Sequence, residues 1–172
     1  WSKHQIQMLD QFIKNKTTGV LHTLHSGWRI LHDRESLILN REPRKNIIDS
    51  VDLLPNIPVF YGDYKYELIV DKNNNKHLLH TESVDWSKLK NKKLKLRIWK
   101  KGDSFQPLGM KGHQKISDFL INQKVNVISK ESQIVLTADG EIVWVCGKRI
   151  SNSVKLTEET LHTAFLKREH VY

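Results

Sequence analysis

Apolar residues recur at helical spacing near the start of the chain. Ile6, Leu9, Phe12 and Ile13 fall three and four residues apart, the interval that lines one helix face. Ser2, followed three residues on by Gln5, forms a capping box at the front of that helix. Gly19, after the basic run Lys14-Asn15-Lys16, marks its end. Three short strand-like runs come next: Val20 to Leu24, Trp28 to Leu31 and Leu37 to Leu39, separated by the turn residues Ser26-Gly27 and Asp33-Arg34-Glu35. Residues 1–42 therefore predict one helix and a small antiparallel meander. That is a thin core, so more of this domain is expected upstream.

Residues 43–57, bounded by Pro43 and Leu54-Pro55-Asn56-Ile57, predict a linker. From residue 58 the pattern is mostly that of strands. Tyr64 to Val70 and His77 to Thr81 flank the polar turn 71–76 and predict a hairpin. Leu94 to Trp99 alternates as a strand and Gln114 to Lys124 reads as a helix. Gln133 to Thr137 and Glu141 to Val145 flank Ala138-Asp139-Gly140, a hairpin with Asp-Gly in its turn. Thr163 to Lys167 closes the series. The fold class expected is α+β and mainly β.

Composition narrows the function. Hydrophobic residues at 38% and charged residues at 27% describe a globular chain of 172 residues. No apolar run reaches the roughly 18–20 residues of a membrane helix. The chain opens on Trp1-Ser2-Lys3-His4, without an initiator methionine or a signal peptide, as expected for a piece of a longer protein. Cys146 is the single cysteine. No internal disulfide can form, and its apolar neighbours predict a buried, inert thiol of a reducing cytoplasm. The net charge is +9, and residues 92–124 hold nine basic and two acidic side chains, a local excess of +7. A charge concentrated in this way suits a polyanion.

Side chains alternate across a strand, so Leu94, Leu96 and Ile98 face one side of the 93–99 run. Lys93, Lys95, Arg97 and Trp99 face the other, and Lys100 and Lys101 extend the row. Cations ending in an indole fit a nucleic-acid backbone with a ring free to stack. The loop that follows contains Pro107 and Gly109, read as second and fourth residues of a turn, and Gly112. It leads into a helix start flanked by Lys111 and Lys115, where free backbone N–H groups could hold a phosphate. His22, His25, His32, His77 and His80 lack the converging ligand set of a zinc site, so no metal is expected. Asp103 is expected to hydrogen-bond within its own loop. No nucleophile elbow or nucleotide-cradling loop occurs, so no catalytic residue is assigned.

Three blocks carry a family resemblance. Arg97-Ile-Trp-Lys-Lys-Gly-Asp103-Ser-Phe105-Gln-Pro107-Leu-Gly109-Met-Lys-Gly112, then Lys115 to Lys124, then Glu141 to Ile150 resemble, in order, the C-terminal domain of tRNA(Ile)-lysidine synthetases. The resemblance covers about residues 92–156, with a weaker likeness of residues 1–42 to the end of that family's middle, substrate-recognition domain. It implies residues 58–172 as a tRNA-binding domain, an open β-barrel or sandwich with an inserted helix, similar to a domain of the phenylalanyl-tRNA synthetase β subunit. It implies a cytoplasmic ligase that joins lysine to C2 of the wobble cytidine of CAU-anticodon tRNA(Ile). ATP with magnesium, and lysine, would be bound by an N-terminal domain outside this chain, and no cofactor is implied within it. The segment would grip the tRNA acceptor stem. Candidate phosphate contacts are Lys93, Lys95, Arg97, Lys100, Lys101, Lys111, Lys115, Lys124, Lys148 and Arg149; Asp103, Pro107, Gly109 and Gly112 would shape the loop. Where the family runs Asp-x-Arg-aromatic-Lys, this chain has Ser151-Asn152-Ser153-Val154-Lys155. The alternatives are a non-catalytic protein-interaction or oligomerisation module and a general single-strand binder. Oligomeric state, monomer or homodimer, stays open.

Overall fold

A computed structural model of the chain describes residues 2–15, 17–41, 48–70 and 81–171. In chain order its elements are helix α1 (Lys3–Lys14) and strands β1 (Leu21–Thr23), β2 (Trp28–Asp33), β3 (Ser36–Arg41), β4 (Val51–Asp52), β5 (Val59–Tyr61), β6 (Tyr64–Val70), β7 (Thr81–Asp85), β8 (Leu94–Ile98), β9 (Ser104–Phe105) and β10 (Gln114–Lys115). Helices α2 (Ile116–Asn122) and α3 (Val127–Glu131) follow, then β11 (Ile134–Ala138), β12 (Glu141–Val145), β13 (Arg149–Ile150) and β14 (Thr163–His170). The chain divides into two compact units, Trp1–Asn46 with Val125–Lys130, and Ile47–Lys124 with Glu131–Tyr172.

In the first unit the expected capping box is present. The Ser2 hydroxyl accepts from the Gln5 amide at 3.2 Å, and the Gln5 side chain accepts from the Ser2 amide at 2.8 Å. Strands β1, β2 and β3 form the expected meander. Asp33 pairs with Ser36 across a two-residue turn, and Arg34 takes a left-handed φ of 48° there. Phe12 stacks on His22, with ring centroids 5.4 Å apart.

The second unit has two main antiparallel sheets and the short antiparallel pair β10-β9. One main sheet has the order β13-β12-β11-β8-β4, the other β5-β6-β14-β7. They share a core to which Leu96, Leu136 and Trp144 come from the first sheet and Tyr66, Leu68, Val84 and Leu166 from the second. The architecture is a two-sheet sandwich and not a closed barrel. Tyr66 and Trp144 meet edge to face at 6.3 Å, a favoured arrangement of aromatic rings.

Two expectations are corrected here. The strands on either side of residues 71–76 do not form a hairpin: β14 lies between β6 and β7, pairing with each. Alternation identifies a strand but not its partner, and the partner here is about a hundred residues away. The turn 71–76, with His77 and His80, lies outside the described residues. Residues 43–57, expected as a linker, include β4, which pairs with β8, and Leu53, which is 1% exposed in the core. Pro55 also bridges to Leu68.

Candidate nucleic-acid interface

Strand β8 positions the site. Its pattern places Leu94 and Leu96 in the core and turns Lys93, Lys95 and Arg97 outward, as expected. Its start is fastened to the β11–β12 hairpin. The Lys93 amide donates to the Asp139 carboxylate at 2.9 Å, and the Asp139 amide donates to the Lys93 carbonyl at 3.0 Å. The hairpin turn has Asp139 at φ 51° and Gly140 at φ 93°, the paired left-handed conformation that selects Asp-Gly.

Lys93, Lys95, Arg97 and Lys100 line one open cleft of about 350 Å³, with Asp49, Ser50, Thr137, Asp139 and Gly140. Four cations against two carboxylates leave +2 on its walls. The cations are not equivalent. The Arg97 guanidinium binds Asp103 bidentately at 2.7 and 3.0 Å and also donates to the Ile98 carbonyl at 3.1 Å. The pair is only 18% and 16% exposed, and Asp103 accepts a further bond from the Lys100 amide at 2.7 Å. Burial pushes the Asp103 carboxyl up, but the Arg97 hydrogen bonds, the Lys100 N–H and the two adjacent positive charges outweigh it and hold it below the ordinary carboxylate range. Arg97 is thus a brace that fixes the 98–103 loop. Lys95 is shared with Asp52 at 3.4 Å. Lys93 and Lys100 are exposed.

The remaining basic residues lie elsewhere. Lys101, Lys111 and Lys115 are exposed along the loop and do not line the cleft, and Lys124 follows α2 with a φ of 54°. Lys148 and Arg149 sit at β13, the edge of the sheet opposite β4. Lys148 is held below the ordinary lysine value by burial, with repulsion from Arg168 adding to it. Trp99 is half-buried and outside the cleft.

The glycine-bearing loop differs in detail from expectation. The Met110 amide donates to the Pro107 carbonyl at 2.9 Å, so Pro107 is the first residue of the turn and Gly109, at φ 86°, the third. Gly112 has no left-handed φ and open space where a side chain would go. At the start of α2 part of the expected set of backbone donors is already engaged. Lys115 belongs to β10, paired with β9, and the Ile116 amide is bonded to the Asp103 carbonyl at 2.9 Å. Cys146 is fully buried and its thiol is pushed well up by desolvation, which is the environment of an inert thiol.

The fold and its cleft define a mainly β domain with cations arrayed on one strand. Residues 94–164 match the family described as the TilS substrate C-terminal domain. Over most of its length the chain is similar to the C-terminal part of tRNA(Ile)-lysidine synthases. It is 33% identical over 143 residues to the tRNA(Ile)-lysidine synthase of Parabacteroides distasonis, covering 78% of this chain and 31% of that protein. It is 30% identical over 141 residues to that of Bacteroides thetaiotaomicron, covering 81% and 31%. The chain therefore spans about a third of the length of these relatives. A crystal structure of a TilS C-terminal domain superposes with a TM-score of 0.60 at 18% identity, covering 72% of this chain and 97% of that one, a likeness of fold.

Proposed function

We propose that this chain is the tRNA-gripping part of a cytoplasmic tRNA(Ile)-lysidine synthase, an ATP-dependent ligase that modifies the wobble cytidine of CAU-anticodon tRNA(Ile). Residues 58–172 hold the acceptor stem, and residues 1–42 end the substrate-recognition domain. The modification chemistry, with ATP, magnesium and lysine, belongs to the remaining two thirds of the full-length enzyme. The relatives named tRNA(Ile)-lysidine synthase support this reading. The observation that carries it is the β8 cleft, in which Lys93, Lys95 and Lys100 project around the Arg97–Asp103 brace. Such cations suit phosphates, which position an RNA without specifying its sequence. Duplex RNA is bound largely through backbone, 2′-hydroxyls and shape, so a row of lysines is adequate chemistry for a stem.

The test is binding of the chain to CAU-anticodon tRNA(Ile), elongator methionine tRNA and an unstructured oligonucleotide across a salt series. Structured tRNA should bind more tightly than the single strand. Replacing Lys93 and Lys100 with alanine should reduce the slope of log affinity against log salt by about two, roughly one for each phosphate that a lysine no longer neutralises. A preference for the single strand supports the general binder. No binding at low salt supports the interaction module.

A further inference from the structure

A second depression adjoins the cleft. Its volume is about 430 Å³, within the roughly 300–1,000 Å³ range of small-ligand sites. Ile142, Val143 and Val154 form its floor with Phe105. Residues consecutive in the chain line the two depressions: Lys93 and Gly140 the cleft, Lys92 and Glu141 the pocket.

The hydroxyls in the pocket are oriented. Ser87 donates its hydrogen to the buried Asp85 at 2.6 Å, so toward the pocket its oxygen acts as an acceptor. Ser153 donates to Ser151 at 2.9 Å and is likewise left as an acceptor. Ser151, only 3% exposed, accepts from both the amide and the hydroxyl of Ser153, which leaves its own hydrogen to donate. The Glu141 carboxylate adds acceptors and disfavours a second phosphate. Lys88 and Lys92 supply positive charge, and the exposed His113 offers an imidazole face at the edge. The ligand that matches several acceptors, one buried donor, one phosphate's worth of cations and a ring to stack on is a nucleoside with a free cis-diol.

We propose that this pocket receives the unpaired 3′-terminal nucleoside of the RNA held in the cleft. The inference rests on the tRNA-binding reading above. The terminal ribose donates its two hydroxyls to Ser87, Ser153 and Glu141. The phosphate on its 5′ side lies against Lys88 and Lys92, and the base packs at His113. The pocket thereby measures where the stem ends, a feature that no row of phosphate contacts can sense.

The experiment compares intact tRNA with tRNA trimmed of its unpaired 3′ nucleotides, on the whole chain and on its Lys88→Ala/Lys92→Ala variant. Both lysines are exposed, so the fold is retained. Trimming should weaken binding to the parent chain by about tenfold, the worth of one or two hydrogen bonds. The variant should lose a similar factor on intact tRNA and none on trimmed tRNA. Equal binding of the two RNAs by the parent, or equal losses on both by the variant, overturns the pocket while leaving the cleft in place. Absence of binding to either RNA overturns both readings. As a second readout, periodate-oxidised tRNA with borohydride should label Lys88 or Lys92; labelling confined to other lysines places the end outside the pocket and refutes the proposal.

Discussion

Asp103 is the residue whose replacement tests the site most sharply. It accepts three charge-assisted hydrogen bonds, two from Arg97 and one from the Lys100 amide, in a setting 16% exposed. Each bond to a charged group contributes about 1.5–3 kcal/mol, but the three are not additive, and water can partly resolvate the guanidinium once the carboxylate is gone. Breaking a fully buried pair costs about 3–5 kcal/mol. For this partly open one, Asp103→Ala should cost about 3 kcal/mol. In a chain of this length that lowers the Tm by roughly 6–12 °C. Thermal unfolding followed by near-ultraviolet circular dichroism reads it. Arg97→Lys, with Asp103 kept, should also be destabilising, because an ammonium cannot span both carboxylate oxygens. The pH dependence has a definite sign. The folded-state value of Asp103 lies below the ordinary 3.8, so its contribution is present above pH 3.8 and disappears as pH falls through the lowered value. Asp103→Asn should accordingly flatten the acid limb of the stability profile. A Tm within 2 °C of the parent for Asp103→Ala would refute the brace and return Arg97 to the set of free phosphate ligands.

Other substitutions probe the same geometry. Lys111→Ala with Lys115→Ala should flatten the salt dependence of tRNA binding less than the Lys93 and Lys100 pair does, since neither lies in the cleft; filter binding compares the slopes. Gly147→Ala should cost about 2 kcal/mol or more in urea unfolding. Gly147 has a φ of 72°, and an added methyl would overlap the Arg168 guanidinium, which bonds the Cys146 carbonyl at 3.2 Å and lies 4.3 Å from the Tyr64 ring. Gly112→Ala, in open space, should stay within about 0.5 kcal/mol of the parent. Cys146 should ignore a thiol reagent in the folded chain and react fully once denaturant is added; rapid labelling of the native chain would contradict its burial.

What the chain makes legible is local. Ser2 and Gln5 announce a helix start because both halves of the capping box lie within four residues, and Asp139-Gly140 announces a hairpin because only certain residues tolerate its angles. The alternation in β8 correctly separates core leucines from outward cations. The partnership of Arg97 with Asp103 is not visible in that alternation, since it depends on how a six-residue loop folds back. The two-residue strand pairing of β9 with β10 just before α2 is hidden for a related reason, since a glycine-rich loop gives no sign of it. Ser151 and Ser153 stand in the sequence only as departures from a family pattern. Their hydroxyl relay is a local turn contact, but their meeting with Ser87 in one pocket requires the two sheets to be assembled.

The position of β14 has a consequence for synthesis. A growing chain exposes β5, β6 and β7 long before their central neighbour exists, because residues 163–170 leave the ribosome after every other strand of this unit. Until then β6 and β7 each present an unpaired edge with apolar residues such as Leu68 and Val84 uncovered, the condition that invites wrong pairing and chaperone capture. The arrival of β14 is therefore the step that commits the sandwich to its native pairing. Folding of this unit is expected to wait for that strand and to be slow, as its dependence on distant partners requires.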